Sequence, residues 1–117
     1  MPASVLIVDD HAGFRFSARR ILEADGYEIA GEAEDGRSAI AAAQRLRPDI
    51  VLLDVNLPDL DGFDVARELA AMPGAPAIVL TSSHDLEDLG DSLPSSGAAG
   101  FVPKDELCGA AVAALVA

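Results

Sequence analysis

The stretch Ile50-Val51-Leu52-Leu53-Asp54-Val55-Asn56-Leu57-Pro58-Asp59-Leu60-Asp61-Gly62 decides the fold. It opens as an unbroken apolar run, short and partly β-branched, which reads as a strand buried on both faces. The run stops on a carboxylate. A charged group at the end of a central strand is rarely there for stability, because burying it costs free energy. In open α/β sheets the carboxyl ends of the strands are where ligands bind. Pro58 and Asp59 favour a turn, and Asp61 has the side chain to cap a helix that starts at Gly62. Asp54 is therefore expected at the rim of a sheet, in a crevice, beside a loop.

Working outward, the same alternation of strand and helix repeats. Residues 4–8 form a first apolar run, ending at Asp9-Asp10. Phe14, Ala18, Ile21 and Leu22 follow at helical spacing, with Gly26 at the helix end. Tyr27 to Glu32 alternates apolar and polar residues, the pattern of an edge strand with one wet face. Asp35-Gly36 is a turn, and residues 37–47 read as a helix with Ile40 and Ala43 inward. Pro48 ends it, since the residue before proline avoids the helical region. A third helix is expected over 62–71, with Phe63, Ala66 and Leu69 on its apolar side. Residues 77–81 and 99–103 read as the fourth and fifth strands; Pro103 is tolerable only if the fifth lies at an edge. A fifth helix is expected from Asp105 to the end.

Five strand–helix units without a linker call for one α/β domain over residues 1–117, a parallel sheet with right-handed crossovers and helices on both faces. Five strands are too few for an eight-stranded barrel. A flavodoxin-like doubly wound sheet of order 2-1-3-4-5 remains, with the first and third strands side by side at the switch point.

Composition narrows the function. Half of the 117 residues are apolar, and the net charge is -12. Such acidity argues against direct binding of nucleic acid or an anionic membrane by this segment. Cys108 is the only cysteine, so there is no internal disulfide and no cysteine metal cluster. No leader or membrane span is legible, which makes the cytosol the expected location.

In the expected strand order Asp9, Asp10 and Asp54 share one crevice, and Thr81 and Lys104 end the fourth and fifth strands. Lys104 is the only lysine. Two carboxylates 4 Å apart repel by about 4 kcal/mol at an effective dielectric near 20. One ammonium does not neutralise three of them, whereas a hard divalent cation does, and oxygen-only ligands suit Mg²⁺. A carboxylate beside such a cation, a lysine and a hydroxyl has the chemistry to take up a phosphoryl group as an acyl phosphate.

These residues, together with the loop Leu57-Pro58-x-Leu60-Asp61-Gly62, resemble the receiver domain of bacterial response regulators in two-component signalling. Asp-Asp-His after the first strand, and a lysine not followed by proline, are most similar to the nitrate-response and nitrogen-fixation class. The resemblance implies that Asp54 accepts a phosphoryl group from a phosphohistidine on a sensor histidine kinase. It implies Mg²⁺ held by Asp10, Asp54 and the backbone carbonyl of Asn56, with Asp9 in support. Thr81 and Lys104 would contact the phosphoryl group. Phe101 matches the aromatic switch position, here without a hydroxyl. The signalling face would be the fourth helix, fifth strand and fifth helix, through which a homodimer is also implied. The stretch reads either as a stand-alone receiver or as part of a longer regulator.

Some positions depart from the family pattern. Ser82 stands where alanine or glycine is usual, and Asp105 removes the expectation of a cis-proline bond after the lysine. His11 and His84 read as loop residues near the site. Among rival readings, an aspartate-dependent phosphatase resembles Asp-x-Asp at the nucleophile, and Asn56 at the second position lacks the acid–base group. A phosphorylation-independent scaffold of the same fold is the second rival. A nucleotide-binding fold lacks its glycine-rich signatures. The expected chemistry is self-catalysed phosphotransfer and dephosphorylation, not turnover of a substrate.

The fourth helix departs most from the pattern. Leu86, Leu89 and Leu93 offer a narrow apolar stripe interrupted by Gly90 and closed by Pro94. Two turns are too few for a helix to be stable alone. Residues 107–117 carry no charge, a composition that expects a covering partner or a continuing chain. Amide hydrogen exchange over residues 85–97 is expected to be faster than in the third helix without a phosphodonor and to slow with one. Protection equal to that of the third helix before phosphorylation contradicts this reading.

Overall fold

Strand residues that are apolar at every position need cover on both faces, and the computed structural model, described here for residues 3–82 and 97–116, supplies it. The strands are β1 (Ser4–Val8), β2 (Glu28–Ala33), β3 (Ile50–Asp54), β4 (Ala77–Ser82) and β5 (Gly100–Pro103). They form one parallel sheet of order β2-β1-β3-β4-β5, the order expected from the sequence. The helices are α1 (Ala12–Ala24), α2 (Gly36–Leu46), α3 (Gly62–Ala70) and α4 (Gly109–Val116). The expected fourth helix, with Leu86, Leu89, Gly90, Leu93 and Pro94, and also His84, lie outside the described residues. No helix among the described residues is long and apolar enough to cross a membrane.

Successive strand side chains point to opposite faces, so one strand feeds two cores. Leu6, Val8, Val51, Leu53, Ile78 and Leu80 pack with Ala39 and Ala43 of α2 and Phe63, Val65, Ala66 and Leu69 of α3. Val5, Ile7, Ile50, Leu52 and Val79 pack on the other face with Ala18 and Leu22 of α1 and Val112 of α4. This parity carries over to the strand ends. Asp9 and Asp54 continue the Val5–Ile7 and Ile50–Leu52 series and so lie on the α1 face. A slip of one residue would move them to the other face.

One local expectation is corrected and two are refined. In α2 Ile40 and Ala43 face inward as expected, with Ala39 and Ala42 also buried and Ile40 packing half-buried on the same core. Small residues let α2 approach the sheet, and the branched side chain fills the edge. Arg47 ends α2 in the left-handed region, with φ 48°. The helix expected from Asp105 is divided into a 3₁₀ turn (Lys104–Glu106), an extended Leu107, and α4 from Gly109. Burial of Leu107 in the α1-face core explains the break, since an extended residue there aims its side chain at Val112 and the sheet. The new helix start is capped from afar, because Gly109 N–H donates to Asp25 Oδ2 at 2.7 Å.

The loop after β3 is fixed at both ends. Asp61 caps α3, accepting from Phe63 N–H at 2.8 Å, as expected. Asp59 accepts from the N–H groups of Gly36 (2.7 Å) and Arg37 (3.1 Å) at the α2 N-terminus. Those donors, Gly36 first, hold its carboxyl below the usual range. Gly62 lets α3 meet the end of β3: its N–H donates to Val55 O at 2.9 Å, and a Cβ there would lie 2.4 Å from Val55 Cα and 2.5 Å from Asp54 O. Both obstacles are backbone and do not yield by a rotamer change. Gly62→Ala is therefore expected to destabilise the fold by roughly 1–3 kcal/mol, the usual cost of overpacking, read by urea unfolding. Unchanged stability would show that the loop accommodates the methyl freely.

Candidate functional site

Because the sheet is parallel, its carboxyl ends share one edge, and the candidate residues meet there. Asp9 follows β1 and extends its ladder, donating N–H to Ala33 O at 3.0 Å. Asp54 ends β3 and pairs in register with Thr81 of β4. Lys104 begins the turn after β5. Asp9, Asp54 and Thr81 are fully or almost fully buried, unusual for two carboxylates.

Lys104 joins the two buried acids. Its Nζ donates to Asp54 Oδ2 at 3.2 Å and lies 2.7 Å from Asp9 Oδ2. The second contact is close but not aligned as a hydrogen bond, so it is an ion pair. The ammonium also sits over the Phe14 ring, 4.7 Å from its centroid, a cation–π contact. Phe14 was legible only as an apolar residue of the first helix; nothing in the sequence pattern marks it as a seat for the lysine.

Burial pushes the Asp54 carboxyl above the usual carboxylate range, and the Asp9 charge adds to this. The Asn56 N–H on Oδ1 (3.0 Å) and Lys104 oppose the shift without cancelling it. For Lys104, burial pulls the pKa down, but the Asp9 contact and the Asp54 charge outweigh it and the net shift is upward. Raised values have opposite meanings for the two groups. Pairing of Lys104 stabilises the fold below its ordinary value and is lost only as pH rises through the folded one. Ionised Asp54 works against the fold at neutral pH, because the folded chain holds that proton more tightly than the unfolded chain does.

Asp10 stands at the mouth with its side chain 34% exposed. His11 caps the start of α1 with its backbone and turns its ring toward the acids, Nδ1 being 3.1 Å from Asp9 Oδ1 and 3.0 Å from Asp10 Oδ1. Ligating atoms of Asp9, Asp10, His11 and Asp54 all lie within 4.8 Å of one another. Arg15 braces the arrangement, donating to Asp9 O at 2.6 Å while pairing with Glu32. Beside it opens a groove of about 460 Å³ lined by Asp10, Asn56 and the loop to Asp61. Asn56 is exposed, and its N–H is engaged by Asp54.

Thr81 is on the same strand face as Asp54, and its buried Oγ1 has no hydrogen-bond partner among the described residues. Phe101 is not part of this cluster. It pairs with Leu80 and packs on the α3 face, opposite to Thr81. Ser82 is buried beside the site at the end of β4.

A doubly wound sheet with acids at the ends of β1 and β3, a hydroxyl after β4's core and a lysine after β5 defines the receiver class of two-component response regulators. A family model for the response regulator receiver domain matches residues 5–115, and the chain belongs to that family. It is 39% identical over 104 residues to the transcriptional regulatory protein PdtaR of Mycobacterium tuberculosis, covering 89% of this chain and 50% of that protein. The chain thus spans about half the length of the curated relatives it matches. Among solved structures it is similar to the signal receiver domain of NarL from Mycobacterium tuberculosis, with a TM-score of 0.87, 32% identity, and coverage of 97% and 96% of the two chains. It is also similar to a chain of the CheX–CheY–BeF₃–Mg²⁺ complex from Borrelia burgdorferi, with a TM-score of 0.85, 28% identity, and coverage of 99% and 87%.

Receiver domains bind Mg²⁺ at an acidic pocket, and the residues here fit one. Three carboxylates and one ammonium leave two negative charges uncompensated in a small, largely buried volume. Mg²⁺ is expected to raise the thermal unfolding midpoint by mass action. Asp10→Asn is expected to remove most of that rise. An undiminished rise in the variant would exclude Asp10 as a ligand.

Proposed function

We infer that Asp54 is the phosphoacceptor of this receiver and takes its phosphoryl group from a sensor histidine kinase. The observation that carries this reading is the pairing of Asp54, buried and held by Lys104, with a neighbouring Thr81 hydroxyl that is buried and has no hydrogen-bond partner among the described residues. A buried donor without an acceptor costs on the order of 1–3 kcal/mol. It suits a group that gains its acceptor only in another state of the site.

In the proposed transfer an Asp54 carboxylate oxygen attacks the phosphorus of a phosphohistidine. The O–P bond forms as the N–P bond breaks, and the electron pair stays on the departing imidazole nitrogen. The reaction needs no general base, because the carboxylate attacks in its ionised form. Lys104, already at Asp54, neutralises charge on the incoming phosphoryl oxygens, and Thr81 Oγ1 donates to one of them. Asp10, Asp54 and the Asn56 backbone carbonyl would hold Mg²⁺, with Asp9 in support; when bound, the ion supplies positive charge against the carboxylates and the phosphoryl oxygens.

The chain is proposed to act as a switch rather than a turnover enzyme. Asn56, two residues after the nucleophile, is a carboxamide and cannot serve as a general acid or base for a leaving group. Thr81 stands at the end of β4, so its movement toward a phosphoryl group would be felt by the chain that follows and by β5 beside it. Phe101 and α4 belong to the proposed output face and its homodimer, together with the fourth-helix stretch outside the described residues.

Incubation with a small phosphodonor and Mg²⁺ is expected to add one phosphoryl group by intact mass. Asp54→Asn is expected to abolish the gain, and Lys104→Ala to keep metal binding while impairing the response to phosphorylation. Full labelling of the Asp54 variant contradicts the assignment.

A further inference from the structure

Lys104 follows the buried Val102 by two residues, and strand parity sends its side chain to the α1 face. There the first turn of α1 presents Phe14, which packs half-buried against the α1-face core. The ammonium stands 4.7 Å from the centre of that ring, 3.2 Å from Asp54 Oδ2 and 2.7 Å from Asp9 Oδ2. A hydrogen bond to a carboxylate oxygen is directional, and the Asp9 contact is not aligned as one. The ring contact is different in kind. An aromatic face attracts a cation anywhere within about 6 Å of its centroid, and more strongly where water is excluded. The Lys104 side chain is only 17% exposed, so the contact is largely screened from water.

We propose that Phe14 is a positioning residue for phosphoryl uptake: its ring holds the Lys104 ammonium at the Asp54 carboxylate before transfer and keeps it within reach of the phosphoryl oxygens during it. The proposal rests on the reading of Asp54 as the phosphoacceptor. Uptake requires the ammonium to turn from the carboxylate toward the incoming oxygens. A directional partner is lost in that turn, whereas the broad attraction of the ring is kept. Without the ring, water at the mouth competes for the ammonium. Phe14 acts only through Lys104, so its effect on uptake disappears where the lysine is absent. That separates a seat for the lysine from a mere piece of core.

The test times phosphoryl uptake by the whole chain from acetyl phosphate and Mg²⁺, read by intact mass. Phe14→Leu keeps an apolar side chain and removes the ring; it is expected to slow uptake on the order of tenfold. Phe14→Tyr keeps the ring and is expected to keep the wild-type rate. Phe14→Leu combined with Lys104→Ala is expected to be no slower than Lys104→Ala alone. Since Lys104 is the only lysine, its ε-methylene protons give a single resonance in lysine-labelled chain. Ring current is expected to shift it upfield in wild type and Phe14→Tyr and not in Phe14→Leu. Equal uptake by wild type and Phe14→Leu overturns the role of the ring, as does a double variant slower than Lys104→Ala by the factor that Phe14→Leu costs alone. An unshifted wild-type resonance overturns the seat itself. Full labelling of Asp54→Asn overturns the phosphoacceptor reading, and this inference with it.

Discussion

One ammonium holds two buried carboxylates at the carboxyl edge of the sheet, and the rest of the structure is arranged so that it does. Lys104 reaches Asp9 and Asp54 only because β1 and β3 are neighbours and β5 ends at the same edge. The carboxylates face the lysine only because strand parity puts them on the α1 face, where Phe14 underlies the ammonium. The pairing is incomplete. Desolvation penalises Asp54 more than its partners compensate, and Asp10 adds a further negative charge at the mouth. Such a site is held together by the apolar layers around it and not by its own electrostatics. In the proposed function that imbalance is useful, since a cation and a phosphoryl group both find partners already in place.

Much of this was legible in the sequence because it is written in short-range pattern. The run ending at Asp54 gave the central strand, and the same pattern ending at Asp9 and Thr81 gave its neighbours. Asp61 and Gly62 marked the start of α3, and the structure adds the reason for the glycine, a backbone approach that leaves no room for a Cβ. The parallel order followed from alternation of strand and helix, and with it the gathering of Asp9, Asp10, Asp54, Thr81 and Lys104 at one edge.

What was not legible depends on side-chain direction and on distant partners. Periodicity placed Phe14 on the inward stripe but carried no sign of the lysine above it. His11 is adjacent to the acids in sequence, yet only its ring orientation brings Nδ1 to them. The break between the 3₁₀ turn and α4 arises from burial of Leu107 and from a cap supplied by Asp25, a residue 84 positions away. In α2 helical spacing placed Ile40 and Ala43 inward, but it did not show that Ala39 and Ala42 are buried more deeply than Ile40 on the same core.

The central claim is that burying the Asp54 carboxylate beside Asp9 costs the fold more than its Lys104 and Asn56 contacts return. Urea unfolding of wild type and Asp54→Asn in metal-free buffer at neutral pH tests it most directly. The account predicts that the neutral side chain makes the metal-free domain more stable, because it relieves repulsion from Asp9 and the cost of burying a charge. It also predicts that saturating Mg²⁺ narrows or reverses the difference, as only the wild type gains fully from the ion. A metal-free Asp54→Asn domain that is less stable than wild type would contradict the account, since the Lys104 pairing would then outweigh the desolvation and repulsion at the heart of the site.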